Sequence, residues 1–205
     1  FIKRFMETLV IPTAPKAKRA VMTDELPQSA SGKTVMTTEP KFVPEEAVEI
    51  SPDGTTILSV RMIDSVGYMV DGAVGAEEDG APRMVTTPWY DYEIPMTEAA
   101  ELGTKKVMDE HCTIGLVVTT DGTITDIPRQ DYEAAEARAI QDMQATGKPF
   151  LTIVNSADPS GATAKEIVKR IYDTYGIRAT PLDCQALDTE DIARLLQDLL
   201  YSFPM

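Results

Sequence analysis

At 205 residues the chain is long enough for one domain with a substantial core and short for two large ones. A hydrophobic content of 43% and a charged content of 25% are those of an ordinary soluble globular protein, and no apolar run approaches the ~18 residues that a transmembrane helix needs. The net charge of -14, from 33 acidic against 19 basic residues, argues against a nucleic-acid partner, because phosphate neutralisation needs a Lys/Arg stripe.

Phe1, Ile2, Phe5, Met6, Leu9 and Val10 share one helical face, which predicts a helix over residues 1 to ~11 closed by Pro12. Opening in helical register without a Met, the chain reads as a fragment cut inside a helix. Residues 12–44 hold five prolines and little periodicity, so a long loop is expected there. That loop contains QSASGKTVMTT, whose Gly32-Lys33-Thr34 resembles the end of a P-loop. A P-loop asks for a second Gly five residues earlier, where Pro27 stands, and for a strand before and a helix after. Neither context fits.

Two strands are predicted over 46–51 and 55–64, around the turn Pro52-Asp53-Gly54. A Gly-rich acidic loop is expected over 65–96, then a helix from Thr97 to about His111. From there strand and helix alternate. TIGLVVTTD (113–121) is an apolar run of the kind that forms a parallel strand buried on both faces. A helix over 129–146 stops at Gly147, with Pro149 beyond. PFLTIVNS (149–156) and IRATPLDC (177–184) are further strands, with helices over 162–175 and 189–201. The sum is an α/β fold: a mostly parallel sheet with one antiparallel hairpin strand and helices on both faces. Ligands of such sheets bind beyond the carboxyl ends of the strands, so those ends hold the candidate residues.

The first end is Asp64-Ser65-Val66-Gly67. Asp-x-x-Gly after a strand is the arrangement of GTPase-like P-loop proteins, where the carboxylate holds a Mg²⁺-bound water and the Gly N–H approaches the terminal phosphate. Asp and Gly are also ordinary turn residues. Thr37-Thr38, in the loop ahead of the hairpin, occupies the place of a threonine that completes the Mg²⁺ shell and closes over the γ-phosphate. The order helix, loop with Thr, hairpin, Asp-x-x-Gly, loop, helix, βαβα matches the small-GTPase-like plan. Asn155-Ser156-Ala157-Asp158 stands where GTPases carry Asn-Lys-x-Asp, with Ser156 in place of the Lys, so guanine specificity is open and Asp158 reads equally as a turn with Pro159. Asp183-Cys184-Gln185-Ala186 matches the other base-contacting loop weakly. Asp121-Gly122-Thr123 either lines the pocket or turns the chain, and Trp89, Tyr90 and Tyr92 are expected to pack a long loop down. Cys112 and Cys184 read as reduced apolar residues, and His111 as a surface group at a helix C-terminus.

LPQSASGKTVMTTEPKFVP, IDSVGY, PRMVTTPWY, VVTTDGTITDI, GKPFLTIVNS and YSFP strongly resemble the stage IV sporulation protein A family of endospore-forming bacteria, over nearly the whole chain. The resemblance implies a small-GTPase-like, three-layer P-loop NTPase fold in which residues 1–205 form a truncated nucleotide-binding domain lacking the first strand and the P-loop. It implies a domain that hydrolyses ATP and drives self-assembly into a shell around the forespore, in the mother-cell cytoplasm and with other coat and forespore-surface proteins as partners. Asp64 then corresponds to the Walker B acid, and Thr37 and Thr38 to sensor threonines. Asp64 and Thr38 would serve Mg²⁺, while Gly67, Asn155 and Asp158 would contact the nucleotide. Without a P-loop the chain is expected to bind ATP weakly or not at all. A GTP-using regulatory GTPase and a nucleotide-free coat scaffold are the alternatives.

Overall fold

The computed structural model describes residues 1–27, 39–51 and 54–201. The first helix begins as α1 (Ile2–Phe5), widens through a π-helical turn at Met6–Val10 and ends as α2 (Ile11–Thr13). Phe5, Met6, Leu9 and Val10 are its buried stripe, as their spacing predicts. The helix runs one residue past Pro12. There the Thr13 hydroxyl donates back to the carbonyls of Leu9 (2.9 Å) and Val10 (3.0 Å), and the Ala14 N–H closes the turn on the Val10 carbonyl as well (3.0 Å).

Part of the loop expected over 12–44 is a helix. α3 (Lys16–Asp24) starts behind Pro15 and buries only Met22. A single anchoring residue leaves almost no apolar period to detect. Arg19 ties the two helices together, with Nε and Nη2 donating to the carbonyls of Ala14 (2.9 Å) and Pro12 (2.7 Å). The hairpin follows as predicted in kind, with β1 (Lys41–Ile50) starting earlier than expected and pairing antiparallel with β2 (Leu58–Asp64). Its register runs from Lys41 opposite Asp64 to Ile50 opposite Leu58, with a shift between Val43 and Val48.

The loop expected over 65–96 also holds structure. β3 (Glu77–Glu78) pairs with β4 (Ala81–Pro82), and β5 (Met84–Thr87) with β6 (Tyr90–Pro95). Asp79 and Gly80 both have positive φ, 52° and 78°, which is the backbone of a two-residue type I′ turn. Strands of two residues carry no alternation, so only the Asp-Gly pair signals the first hairpin.

α4 (Met96–Lys106) passes through a π-helical turn at Val107–His111, leaving His111 exposed at the helix end. The parallel sheet then forms in the predicted order: β7 (Gly115–Thr120), α5 (Glu133–Thr146) behind a 3₁₀ turn at Arg129–Tyr132, β8 (Phe150–Asn155), α6 (Ala162–Tyr175), β9 (Ala179–Leu182) and α7 (Thr189–Tyr201). Gly147 and Gly176 end α5 and α6 in left-handed backbone, at φ 67° and 70°.

β8 is the central strand of three, and its alternation divides the core. Ile153 packs with Met6, Val10, Val43, Leu187 and Ile192, under the first helix and α7. Val154 packs with Ile140, Met143 and Ile171, under α5 and α6. This is a mixed α/β architecture with helices on both faces of a three-stranded parallel sheet. Among the described residues the β1–β2 pair shares the first core without hydrogen-bonding to that sheet. The expectation that β7 is buried on both faces is corrected: Leu116 is 38% and Val118 46% exposed, while Val117 and Thr119 are buried. Among the described residues β7 pairs with β8 alone, and the helices cover only its Val117 face. Among the described residues no helix is long and apolar enough to cross a membrane.

Candidate functional site

Asp64 is the last residue of β2, opposite Lys41. Burial raises its carboxyl above the ordinary 3.8, and the Lys41 charge opposes that rise. Burial also raises the Cys184 thiol in the turn after β9. Phe1 and Ile2 at the start of α1 pack against the same core that Met62 of β2 and Leu182 of β9 border.

Gly67 has φ +81°, and a Cβ there would meet nothing within 4 Å. The left-handed backbone, and no shortage of space, calls for glycine. Its N–H donates to the Thr104 hydroxyl at 3.0 Å, and that hydroxyl lies 3.4 Å from the Gly67 carbonyl, to which it donates. Tyr68 next door donates its O–H to Asp142 of α5. Burial first, then this bond and the Asp142 charge, push the phenol above its ordinary value. The Arg138 guanidinium sits 4.8 Å from the centre of the Tyr68 ring and bonds Glu101 of α4 through both nitrogens, at 2.6 and 2.9 Å. The Asp-x-x-Gly segment is thus gripped by two helices.

Thr37 and Thr38 lie outside the described residues, as does Gly32-Lys33-Thr34. The chain re-enters at Glu39-Pro40, where Pro40 and Trp89 rest against Gly103 of α4. A Cβ on Gly103 would stand 3.2 Å from the Trp89 ring and 3.3 Å from Pro40. Trp89 packs its loop down as expected. Tyr90 and Tyr92 instead stack on each other at 5.1 Å on an exposed face of the hairpin.

The ends of β7 and β8 are locked together by side chains. Asp121 is 5% exposed and Ser156 fully buried. Ser156 Oγ donates to Asp121 Oδ2 at 2.6 Å, and Thr123 donates to Oδ1 through its hydroxyl (2.6 Å) and its amide (3.0 Å). In return Ser156 Oγ accepts the Asp158 N–H at 3.0 Å, and Thr123 Oγ1 accepts the Ala157 N–H at 2.9 Å. Burial pushes the Asp121 carboxyl up, and the Ser156 and Thr123 hydrogen bonds outweigh it, holding the carboxyl below its usual value. Asn155 Oδ1 accepts the Cys184 N–H at 3.0 Å, bracing the end of β8 against the turn after β9. Asp158 is engaged in its own turn, its carbonyl accepting Gly161 N–H at 3.0 Å and its carboxylate the Ser160 hydroxyl at 3.0 Å.

The sequence did not point to Thr104 or to the Tyr68–Asp142 bond, because both are contacts between distant segments, and it left Asp121 undecided between pocket and turn. Among the described residues no cluster of three or more His, Cys, Asp or Glu is grouped for a metal. Mg²⁺ is commonly held by one or two carboxylates, with water and substrate phosphate filling the rest of its shell. A single half-buried carboxylate at Asp64 fits that pattern.

A family described as "Stage IV sporulation protein A, ATPase domain" matches residues 1–204. Over 206 residues the chain is 46% identical to a protein named stage IV sporulation protein A from Bacillus anthracis and 46% identical to one from Bacillus subtilis strain 168. Against the protein of that name from Clostridioides difficile strain 630 the identity is 44%. Each match covers the whole chain, and the chain spans 42% of the length of each relative. No solved structure gives a significant match.

Proposed function

The chain belongs to the family of stage IV sporulation protein A ATPase domains, and from that premise we propose that residues 1–205 are a nucleotide-binding unit of small-GTPase-like P-loop design that hydrolyses ATP with Mg²⁺. The observation that carries this reading is the family match across residues 1–204. The order of elements and the Asp64–Gly67 strand end agree with it.

In this reading Asp64, through a bound water, and Thr38 would be the residues that hold Mg²⁺. Mg²⁺ bound there would offset charge on the phosphates. Thr37 and Thr38 sense the γ-phosphate, while Asn155 and Asp158 border the base. ATP is favoured over GTP because Ser156, where a GTPase carries Lys to cover the base, is buried and spent on Asp121 and Asp158.

The phosphate cradle itself is assigned to chain outside residues 1–205. Among the described residues the free edges of β2 and β7 have no strand partner, and Leu116 and Val118 stand exposed on β7. A strand between them would join the two sheets and cover these side chains. Hydrolysis is proposed to drive self-assembly into the spore coat at the forespore surface, together with other coat proteins. α3 and the β3–β4 and β5–β6 hairpins occupy much of the segments 12–44 and 65–96 that the sequence reads as long loops.

Side-by-side ATP and GTP turnover by the full natural chain, with and without Mg²⁺, tests the proposal. Mg²⁺-dependent ATP turnover that Asp64→Ala abolishes is expected. A preference for GTP favours a regulatory GTPase, and absence of turnover favours a nucleotide-free scaffold; either result contradicts the proposal.

A further inference from the structure

We propose that Thr104 is a positioning residue for the nucleotide site, holding the Gly67 amide until a terminal phosphate takes it. This rests on the nucleotide reading above and deepens it.

Thr104 is 3% exposed, inside α4. A threonine within a helix commonly turns its hydroxyl back to a carbonyl of its own preceding turn. Here the hydroxyl reaches a residue 37 positions earlier and serves both backbone polar groups of Gly67. One proton and two lone pairs make that double role possible. A Cβ on Gly67 would meet nothing within 4 Å, so the residue has room to swing on that side once its N–H leaves Thr104. Its amide is thus occupied by a neutral hydroxyl while open space lies beside the residue.

The competition is decided by charge. A hydrogen bond to an anionic oxygen is roughly twice as strong as one between neutral groups. A γ-phosphate therefore displaces Thr104, whereas a diphosphate, which lacks that group, leaves the bond in place. Release is felt on α4, because Thr104 shares that helix with Glu101, and Glu101 pairs with the Arg138 that covers the Tyr68 ring. Thr104 is then the point at which the presence of a third phosphate is read into a helix.

The test uses the full natural chain and compares the affinities of ADP and a non-hydrolysable ATP analogue in wild type, Thr104→Val and Thr104→Ser. Amide exchange at Gly67 is followed without nucleotide. Removing the competing hydroxyl is expected to raise the analogue-to-ADP affinity ratio roughly two- to tenfold in Thr104→Val, the span of one net hydrogen bond. Thr104→Ser keeps the wild-type ratio, and Gly67 exchanges faster in Thr104→Val. Thr104→Ala serves if the Val variant misfolds. A folded variant with an unchanged or lowered ratio overturns the proposal and leaves nucleotide binding standing. Equal changes for both nucleotides overturn it too, leaving Thr104 only a packing role. If wild type binds neither nucleotide, the nucleotide reading itself fails and the sensing role falls with it, however well Gly67 is protected.

Discussion

Replacing Ser156 with Ala removes one hydroxyl from the buried junction of β7 and β8. That hydroxyl donates to the Asp121 carboxylate at 2.6 Å and accepts the Asp158 N–H at 3.0 Å. A hydrogen bond to a charged group contributes about 1.5–3 kcal/mol, and Asp121, at 5% exposure, has little access to replacement water. The half-exposed Asp158 amide adds less, because solvent can take it. The expected loss is therefore about 2–3 kcal/mol at pH 7, or a fall in Tm of roughly 4–12 °C for a chain of this size. The loss depends on pH with a defined sign. Asp121 is held below its unfolded value of 3.8, so the stability it contributes is present above that value and is lost as pH falls through the lower folded value. Urea unfolding of wild type and Ser156→Ala, followed by circular dichroism from pH 7 down to pH 3, reads both quantities. A gap below about 0.5 kcal/mol at pH 7, or one that stays constant down to pH 3, refutes the reasoning.

Two further outcomes concern the same strand end. Gly122→Ala places a Cβ 3.1 Å from the Arg129 backbone nitrogen at a residue with φ +90°, so thermal unfolding should show a loss of about 1–3 kcal/mol. Arg129 and Glu136 form a buried pair at 2.7 Å with side-chain exposures of 12% and 5%, and Glu136 also accepts the Thr119 hydroxyl at 2.7 Å. Arg129→Met alone strands that carboxylate and should cost about 3–5 kcal/mol, while Arg129→Met/Glu136→Leu should cost clearly less. Single and double variants with additive losses in a denaturant series would contradict this coupling.

The parallel half of the fold was legible because its signals are local and strong. Gly147 and Gly176 end helices in the left-handed backbone that only glycine adopts readily, and the runs before Asp121 and Ser156 are long enough to mark strands. The first half was less legible. α3 buries one side chain, and β3 and β4 are two residues each, so neither has a period to read. The Asp79-Gly80 turn was a usable signal there, a two-residue Asp-Gly pair that favours φ > 0 at both positions. Asp64 and Gly67 could be picked out as a pair in the sequence. Their surroundings could not, because Thr104 reaches Gly67, and Asp142 and Arg138 reach the neighbouring Tyr68, from helices that the chain order does not place beside them. β7 misled for a related reason: an apolar run tells that a strand is apolar on both faces, and it is the number of neighbouring strands and helices that determines whether both are covered.

The central claim is that Asp64 works on a Mg²⁺-bound nucleotide at the end of β2. Its most direct test is the single-turnover rate of Mg²⁺-dependent ATP hydrolysis by the full natural chain, compared between wild type and Asp64→Asn at matched stability. Loss of a group that organises the reacting charge is expected to slow the step roughly a hundredfold or more. An Asp64→Asn chain that folds normally and hydrolyses ATP at the wild-type rate would contradict the account.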